Sequence, residues 1–61
     1  MLKFEDFSKT LDGDVMVVIY TPLGELVHKG KLKDLKYIPD NIMRIIPHCD
    51  NRQVYLEIRV Y

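Results

Sequence analysis

The sequence predicts an α+β fold in which one short N-terminal helix packs on a four-stranded antiparallel meander. Three observations favour this fold: apolar residues at helical spacing near the start, later apolar runs at strand spacing, and a turn sequence between the first two of those runs. With 61 residues, the chain is expected to form a single domain over 1–61 whose core is of marginal size.

The helix is predicted from Phe4, Phe7 and Leu11, which are spaced at i, i+3 and i+7 and therefore share one helical face. Gly13 is expected to end the helix, because glycine adopts the left-handed conformation of a C-cap without strain. A helix of about two to three turns is too short to persist alone, so we expect it to dock on the sheet.

The first strand is predicted over residues 15–20, where both alternating faces are apolar, as is typical of an internal strand covered on both sides. The sequence Thr21-Pro22-Leu23-Gly24 then predicts a hairpin turn with a glycine bulge. A second strand follows within residues 25–35, and Gly30 is expected to bulge or bend it.

The connection over residues 36–41 is predicted to be irregular, because Pro39 cannot donate to a ladder. A third strand over 42–46 is expected to end at Pro47, and a fourth over 54–61 has apolar residues at alternate positions. Strongly bent strands would also suit an SH3-like or Sm-like partly open barrel. In either case we expect the last strand to be an exposed edge that pairs with a second copy, giving a homo-oligomer.

Composition excludes several classes of protein. Nine basic and nine acidic residues balance, so the whole molecule is not expected to attract nucleic acid or anionic lipid. Cys49 is the one cysteine, which rules out an intramolecular disulfide and a disulfide-stapled secreted domain. Glu5 and Asp6 lie where a signal peptide needs positive charge, and no apolar run is long enough to span a bilayer. We therefore expect a cytoplasmic protein without a membrane partner.

Catalysis and metal binding are not expected. His48 and Cys49 are the nearest approach to a thiol–imidazole pair, but the sequence offers no third group to orient them. With His28 and Asp50 they have the atom types of a zinc site without its paired spacing. We expect a non-enzymatic protein that needs no cofactor, in which His28 is a partly buried strand residue bonded to the backbone.

Two rows of side chains are candidate binding sites. Lys29, Lys31 and Lys33 share one predicted strand face and, with basic residues elsewhere, would suit a phosphate-bearing ligand. The ordinary alternative is a solvated row that protects an edge from pairing. The last strand has an outward row that mixes aromatic and charged groups, a composition typical of interfaces. The ligand candidates are Lys29, Lys31, Lys33, Arg44 and Arg52, and the interface candidates are Tyr55, Glu57, Arg59 and Tyr61.

The first half of the chain resembles small uncharacterised proteins encoded in phages and prophages of Gram-positive bacteria. The resemblance rests on segments 2–7 and 11–12, the strand 17–20, and the segments 24–26 and 30–35. It implies a short accessory protein in the cytoplasm of a bacterial host that binds and inhibits a host factor, such as a defence protein. Sequestering an anionic nucleotide is the alternative, and a nucleic-acid-binding Sm-like module follows only if the barrel forms.

Overall fold

The computed structural model describes residues 2–61 and contains a five-stranded mixed sheet with one short α-helix. The α+β class is therefore confirmed. The elements in chain order are β1 (Leu2–Lys3), α1 (Phe4–Ser8), β2 (Met16–Tyr20), β3 (Leu26–Lys31), a 3₁₀ helix (Leu32–Asp34), β4 (Asn41–Asp50) and β5 (Gln53–Val60).

The strand order is β1-β4-β5-β2-β3, and β2 and β5 run parallel while the other neighbours are antiparallel. The predicted four-stranded antiparallel meander is thus wrong in strand number and in one pairing. After β3 the chain crosses to the far side of β5 before forming β4, and β5 then returns beside β2. Alternating apolar residues specify that a strand has a buried face, but they do not specify its neighbour.

The sheet is open, because no pairing among residues 2–61 joins its outer strands β1 and β3. A closed barrel is therefore not formed. The last strand, β5, is the central strand of the five and is hydrogen-bonded on both sides. This corrects the expectation that it would be an exposed edge, and it removes that argument for pairing with a second copy.

The core lies on one face of the sheet, beneath α1. Phe4 of the helix is 1% exposed, and Val17, Ile19 and Ile58 of the two parallel strands are fully buried. On the opposite face of the sheet, the alternate positions of β2 are more accessible, and Met16 is 41% exposed. The first strand is therefore internal as predicted, but it is fully covered on only one side.

The helix is shorter than predicted and ends at Ser8. The next residues form tight turns, in which the Thr10 N–H donates to the Phe7 carbonyl and the Leu11 N–H to the Ser8 carbonyl. Such i to i−3 bonds are typical of a helix that unwinds into a 3₁₀ turn. Phe7 nevertheless packs against the core, as the helical spacing predicted.

The hairpin between β2 and β3 is confirmed. The Thr21 N–H donates to the Glu25 carbonyl at 2.8 Å, and Gly24 has φ +86°, a conformation that favours glycine. The register shift of this hairpin lies between Ile19 and Tyr20, and the pairing continues regularly through Gly30. The predicted bulge at Gly30 is therefore misplaced, although its φ of +150° is a glycine conformation.

Strand β4 runs through Pro47, so the expectation that it would end there is wrong. Among residues 2–61, β1 pairs with Asn41 and Ile42, and the rest of β4 has β5 as its neighbour. Proline is tolerated on such a stretch because its missing N–H is not required by a second strand. No helix in residues 2–61 is long and apolar enough to cross a membrane.

A candidate binding face

The face of the sheet opposite α1 is not covered by the helix, and we call it the open face. Residues that are Cα partners across a ladder lie on the same side of the sheet, so the register identifies its members. They are Met16, Val18 and Tyr20 of β2, Leu26, Lys29 and Lys31 of β3, Arg44, Ile46 and His48 of β4, and Tyr55, Glu57 and Arg59 of β5.

Glu57 lies at the centre of a polar cluster on this face. The Arg59 Nε–H donates to one Glu57 carboxylate oxygen at 3.1 Å, and His48 Nε2 lies 3.1 Å from the other. The hydrogen bond from Arg59 lowers the pKa of Glu57 below its ordinary value, the bond from His48 adds to this effect, and partial burial opposes both. Glu57 is therefore an ionised acceptor whose two oxygens both have partners.

Two aromatic rings hold this cluster from either side. The Arg59 guanidinium carbon lies 4.9 Å from the centroid of the Tyr20 ring, within the range of a cation–π contact. The His48 ring stacks on Tyr55 with centroids 4.7 Å apart and planes 9° from parallel. The cluster therefore joins β2, β5 and β4, and its side chains are ordered before any partner arrives.

The open face contains two shallow hollows. The hollow of about 290 Å³ between β2, β3 and the start of β5 is lined mainly by apolar side chains, with Lys29 as its charged residue and Tyr55 as one wall. Its apolar lining is accessible, since Leu26 is 55% exposed. The second, of about 470 Å³, lies over β4 and β5 and is lined by Arg44 and Arg59.

Three of the four predicted interface residues, Tyr55, Glu57 and Arg59, lie together on the open face. Tyr61 follows the end of β5 and is 63% exposed. Its backbone N–H donates to the Asn41 carbonyl at 3.3 Å, which ties the end of the described chain to the sheet. Tyr61 makes no part of the cluster around Glu57.

The predicted lysine row is divided. Lys29 and Lys31 lie on the open face, but Lys33 belongs to the 3₁₀ helix. Asp14 lies 2.9 Å from the Lys33 ammonium and 3.8 Å from that of Lys31, so the two lysines share one carboxylate, which offsets one of their two positive charges. A phosphate-bearing ligand would have to compete with Asp14 for these two lysines.

The two predicted arginine ligands are not near the lysines. Arg44 lies on β4, three strand spacings from β3, which is about 14 Å. Arg52 lies at the tip of the β4–β5 hairpin, where Asn51 and Arg52 have φ of +44° and +71° and form a two-residue turn typical of type I′. The sheet therefore does not bring the five candidate ligand residues to one point.

His48 and Cys49 point to opposite faces, as neighbours in a strand do. His48 binds Glu57 on the open face while Cys49 is exposed on the other, so the two form no thiol–imidazole pair. His28 is half-buried with Nε2 3.0 Å from the Lys31 carbonyl, which confirms the expected backbone partner. No three metal-ligating side chains cluster in the described part of the chain.

The candidate residues predicted from the sequence do not include His48 and Tyr20 of the open face, or Asp14, which contacts Lys33. The expected strand end at Pro47 leaves His48 outside the predicted strands. The alternation Arg44, Ile46, His48 would have placed it on one strand face if Pro47 had been read as an edge residue. Asp14 carries no signal of its own, since its contact with Lys33 depends on how the loop folds.

No family model, curated protein or solved structure matches this chain. Its function is therefore argued from the residues of the open face.

Proposed function

We propose that this protein is a non-enzymatic interaction protein that binds a partner protein through the open face of its sheet. The observation that supports this most is an ordered cluster of Glu57, Arg59, Tyr20, His48 and Tyr55 beside exposed apolar side chains. Tyrosine and arginine are the residue types that most often anchor interfaces, and ordering them before binding reduces the entropy lost on association.

The exposed apolar side chains support the same proposal. Met16 is 41% exposed and Leu26 is 55% exposed, and both line the hollow next to Tyr55. A contiguous apolar area rimmed by polar groups is typical of a site that another molecule covers. Burying it would add to the hydrophobic stabilisation of a small domain whose own core is limited by size.

The resemblance to phage and prophage proteins leads us to propose a bacterial host protein, such as a defence factor, as the partner. Binding alone would then account for inhibition. Sequestering an anionic nucleotide is less well supported, because Asp14 offsets part of the charge of Lys31 and Lys33 and the arginines lie elsewhere. The Sm-like nucleic-acid module was conditional on a barrel, and the open sheet gives it no support.

We also propose that the protein forms a homo-oligomer, through the edge of β3 that has no neighbouring strand among residues 2–61. The Leu32 N–H donates to the Val15 carbonyl at 2.9 Å, which fixes the alternation of this ladder. The N–H groups of Lys29 and Lys31 then point away from β2, where a second β3 strand could pair with them. Such a dimer would leave the open face free for a partner.

The test compares two leucine-to-aspartate variants as affinity baits in extract of a Gram-positive host. Leu26→Asp places a charge in the apolar hollow, and Leu23→Asp places the same charge on the hairpin turn, where Leu23 is 88% exposed. We expect wild type and Leu23→Asp to retain the same host protein and Leu26→Asp to lose it. Equal recovery by all three baits would contradict binding through the open face.

A further inference from the structure

We propose that the open face binds an extended acidic segment of a partner protein, with carboxylates at Lys29 and Arg44 and an apolar side chain in the hollow beside Tyr55. This inference rests on the proposed function and specifies the chemistry of the partner.

Among residues 2–61, the charged side chains of the open face that lack an ion-pair partner are positive. Arg59 is bonded to Glu57 and Lys31 lies near Asp14, but among residues 2–61 neither Lys29 nor Arg44 has a carboxylate within ion-pair distance. Arg44 is also the Cα partner of Arg59 across the β4–β5 ladder. Like charges directly opposite each other are destabilising, so a carboxylate bound at Arg44 would relieve that repulsion.

The positions of the two cations fix the spacing of the anions. Lys29 is level with Glu57, while Arg44 is level with Arg59, two residues further along β5. Three strand spacings and this offset place their Cα atoms on the order of 16 Å apart. An extended chain rises about 3.3 Å per residue and alternate side chains share one side of it, so acidic residues about four or six positions apart would reach both cations.

The hollow supplies an apolar contact beside one of the two cations. Lys29 lies at its rim, and Met16, Leu26 and Tyr55 contribute to its walls. A leucine, methionine or phenylalanine two positions from an acidic residue lies on the same side of an extended chain, so it would fill the hollow while the carboxylate reaches the Lys29 ammonium. Burial of the apolar side chain would supply affinity, and the ion pairs at the rim would supply orientation and specificity.

A second copy of this chain is a poorer occupant of the open face. Two open faces brought together would bring Lys29 and Arg44 of both copies into one interface. The central carboxylate, Glu57, is already bonded to Arg59 and His48 and has no free oxygen to offer the cations of the other copy. An acidic segment from another protein meets neither difficulty.

The experiment selects binders to the wild-type protein from a surface-displayed library of random peptides long enough to cross the sheet. The selected peptides are resynthesised, and their affinity is measured by fluorescence anisotropy at about 0.15 M ionic strength, where the Debye length is ~8 Å. The protein variants are Lys29→Glu, Arg44→Glu and Leu26→Asp. Lys9→Glu is the charge-matched control, because Lys9 follows α1 on the other face of the sheet and its side chain is exposed.

We expect the selected peptides to be rich in aspartate and glutamate beside an apolar residue. Reversal of Lys29 or Arg44 should weaken binding about tenfold each, Leu26→Asp should abolish it, and Lys9→Glu should leave it unchanged. Binding lost in Leu26→Asp but insensitive to both charge reversals would overturn the acidic segment and retain the open face. Peptides that bind Leu26→Asp as well as wild type would overturn both. Self-association of the protein that Leu26→Asp blocks would overturn the acidic segment, because a second copy would then cover the open face.

Discussion

The guanidinium carbon of Arg59 lies 4.9 Å from the centroid of the Tyr20 ring, directly across the parallel pair of β5 and β2. The same guanidinium donates to Glu57 through Nε at 3.1 Å. Arg59 therefore links its own strand to β2 by a contact that is independent of the ladder hydrogen bonds. This matters for the fold because β2 and β5 are far apart in sequence, and the parallel pairing has to be stabilised by contacts between side chains.

The cation–π contact predicts a measurable coupling between Arg59 and Tyr20. Tyr20→Leu retains apolar bulk and removes the ring, and Arg59→Gln removes the cation. In a double-mutant cycle of the free energy of unfolding we expect a coupling of about 0.5–1 kcal/mol, the usual value at accessible sites. Additive losses would show that the contact contributes nothing to stability, and Tyr37→Leu with Arg59→Gln serves as the non-contacting control.

The two phenylalanines of the helix should differ in their effect on stability. Phe4 is 1% exposed in the core, whereas Phe7 is half-buried at its margin. Phe4→Ala should lower the free energy of unfolding by about 3–5 kcal/mol, the usual range for an emptied phenylalanine site. Phe7→Ala should cost clearly less, because part of its ring is already in water.

Urea denaturation followed by circular dichroism tests this order. Phe4→Leu is the informative second variant if Phe4→Ala does not fold, since it leaves most of the volume filled. A greater loss from Phe7→Ala than from Phe4→Leu and Phe4→Ala would mean that the helix packs on the sheet through a different face.

The helix and the first hairpin could be predicted because their signals are local: the spacing of Phe4 and Phe7 and the turn chemistry of Gly24 act within a few residues. The place of β5 beside β2 could not be predicted, because both faces of β2 are apolar and that pattern fits several neighbours. The open face could likewise be predicted only in part. Alternation along β5 placed Tyr55, Glu57 and Arg59 together, while their contacts with β2 and β4 depend on strand order.

Acid should remove a stabilising contribution from Glu57. Folding lowers the pKa of this carboxyl below its ordinary value of 4.5, mainly through the hydrogen bond from Arg59. The contribution to the free energy of unfolding is therefore complete above about pH 4.5 and is lost as the pH falls through the lower pKa of the folded state. Glu57→Gln lacks this contribution at every pH.

The expected result is a difference in urea midpoint between wild type and Glu57→Gln that is constant near neutrality and shrinks below pH 4.5. Glu25→Gln removes the same charge from the β2–β3 hairpin and is the matched control for net charge. A difference that stays constant down to pH 3 or grows in acid would contradict the role given to the carboxylate.

The free edge of β3 predicts how self-association could be blocked without altering the open-face cluster. Lys31 has φ −66°, which proline shares, and its N–H points away from β2. Lys31→Pro should therefore preserve the fold and remove one donor that a second β3 strand would need. Lys31→Ala loses the same charge and retains the donor.

In sedimentation at tens of micromolar, on the order of 10⁻⁵ M, we expect a dimer for wild type and Lys31→Ala and a shift toward monomer for Lys31→Pro. A monomer in all three samples would reject self-association at this concentration. A dimer in all three would place the interface on another surface, and Leu26→Asp would then test the open face.

Asp14 is expected to prevent phosphate-bearing ligands from binding the neighbouring lysines. Its carboxylate lies 2.9 Å from the Lys33 ammonium and also approaches Lys31, so a nucleotide phosphate would have to displace it. In calorimetry against a panel of nucleotides we expect no binding by wild type at about 0.15 M ionic strength. Asp14→Asn frees both lysines and should give weak, salt-sensitive binding, which the triple replacement of Lys29, Lys31 and Lys33 by glutamine should remove. Tight nucleotide binding by wild type that the triple replacement abolishes would instead favour the nucleotide-sequestering function over the protein-binding one.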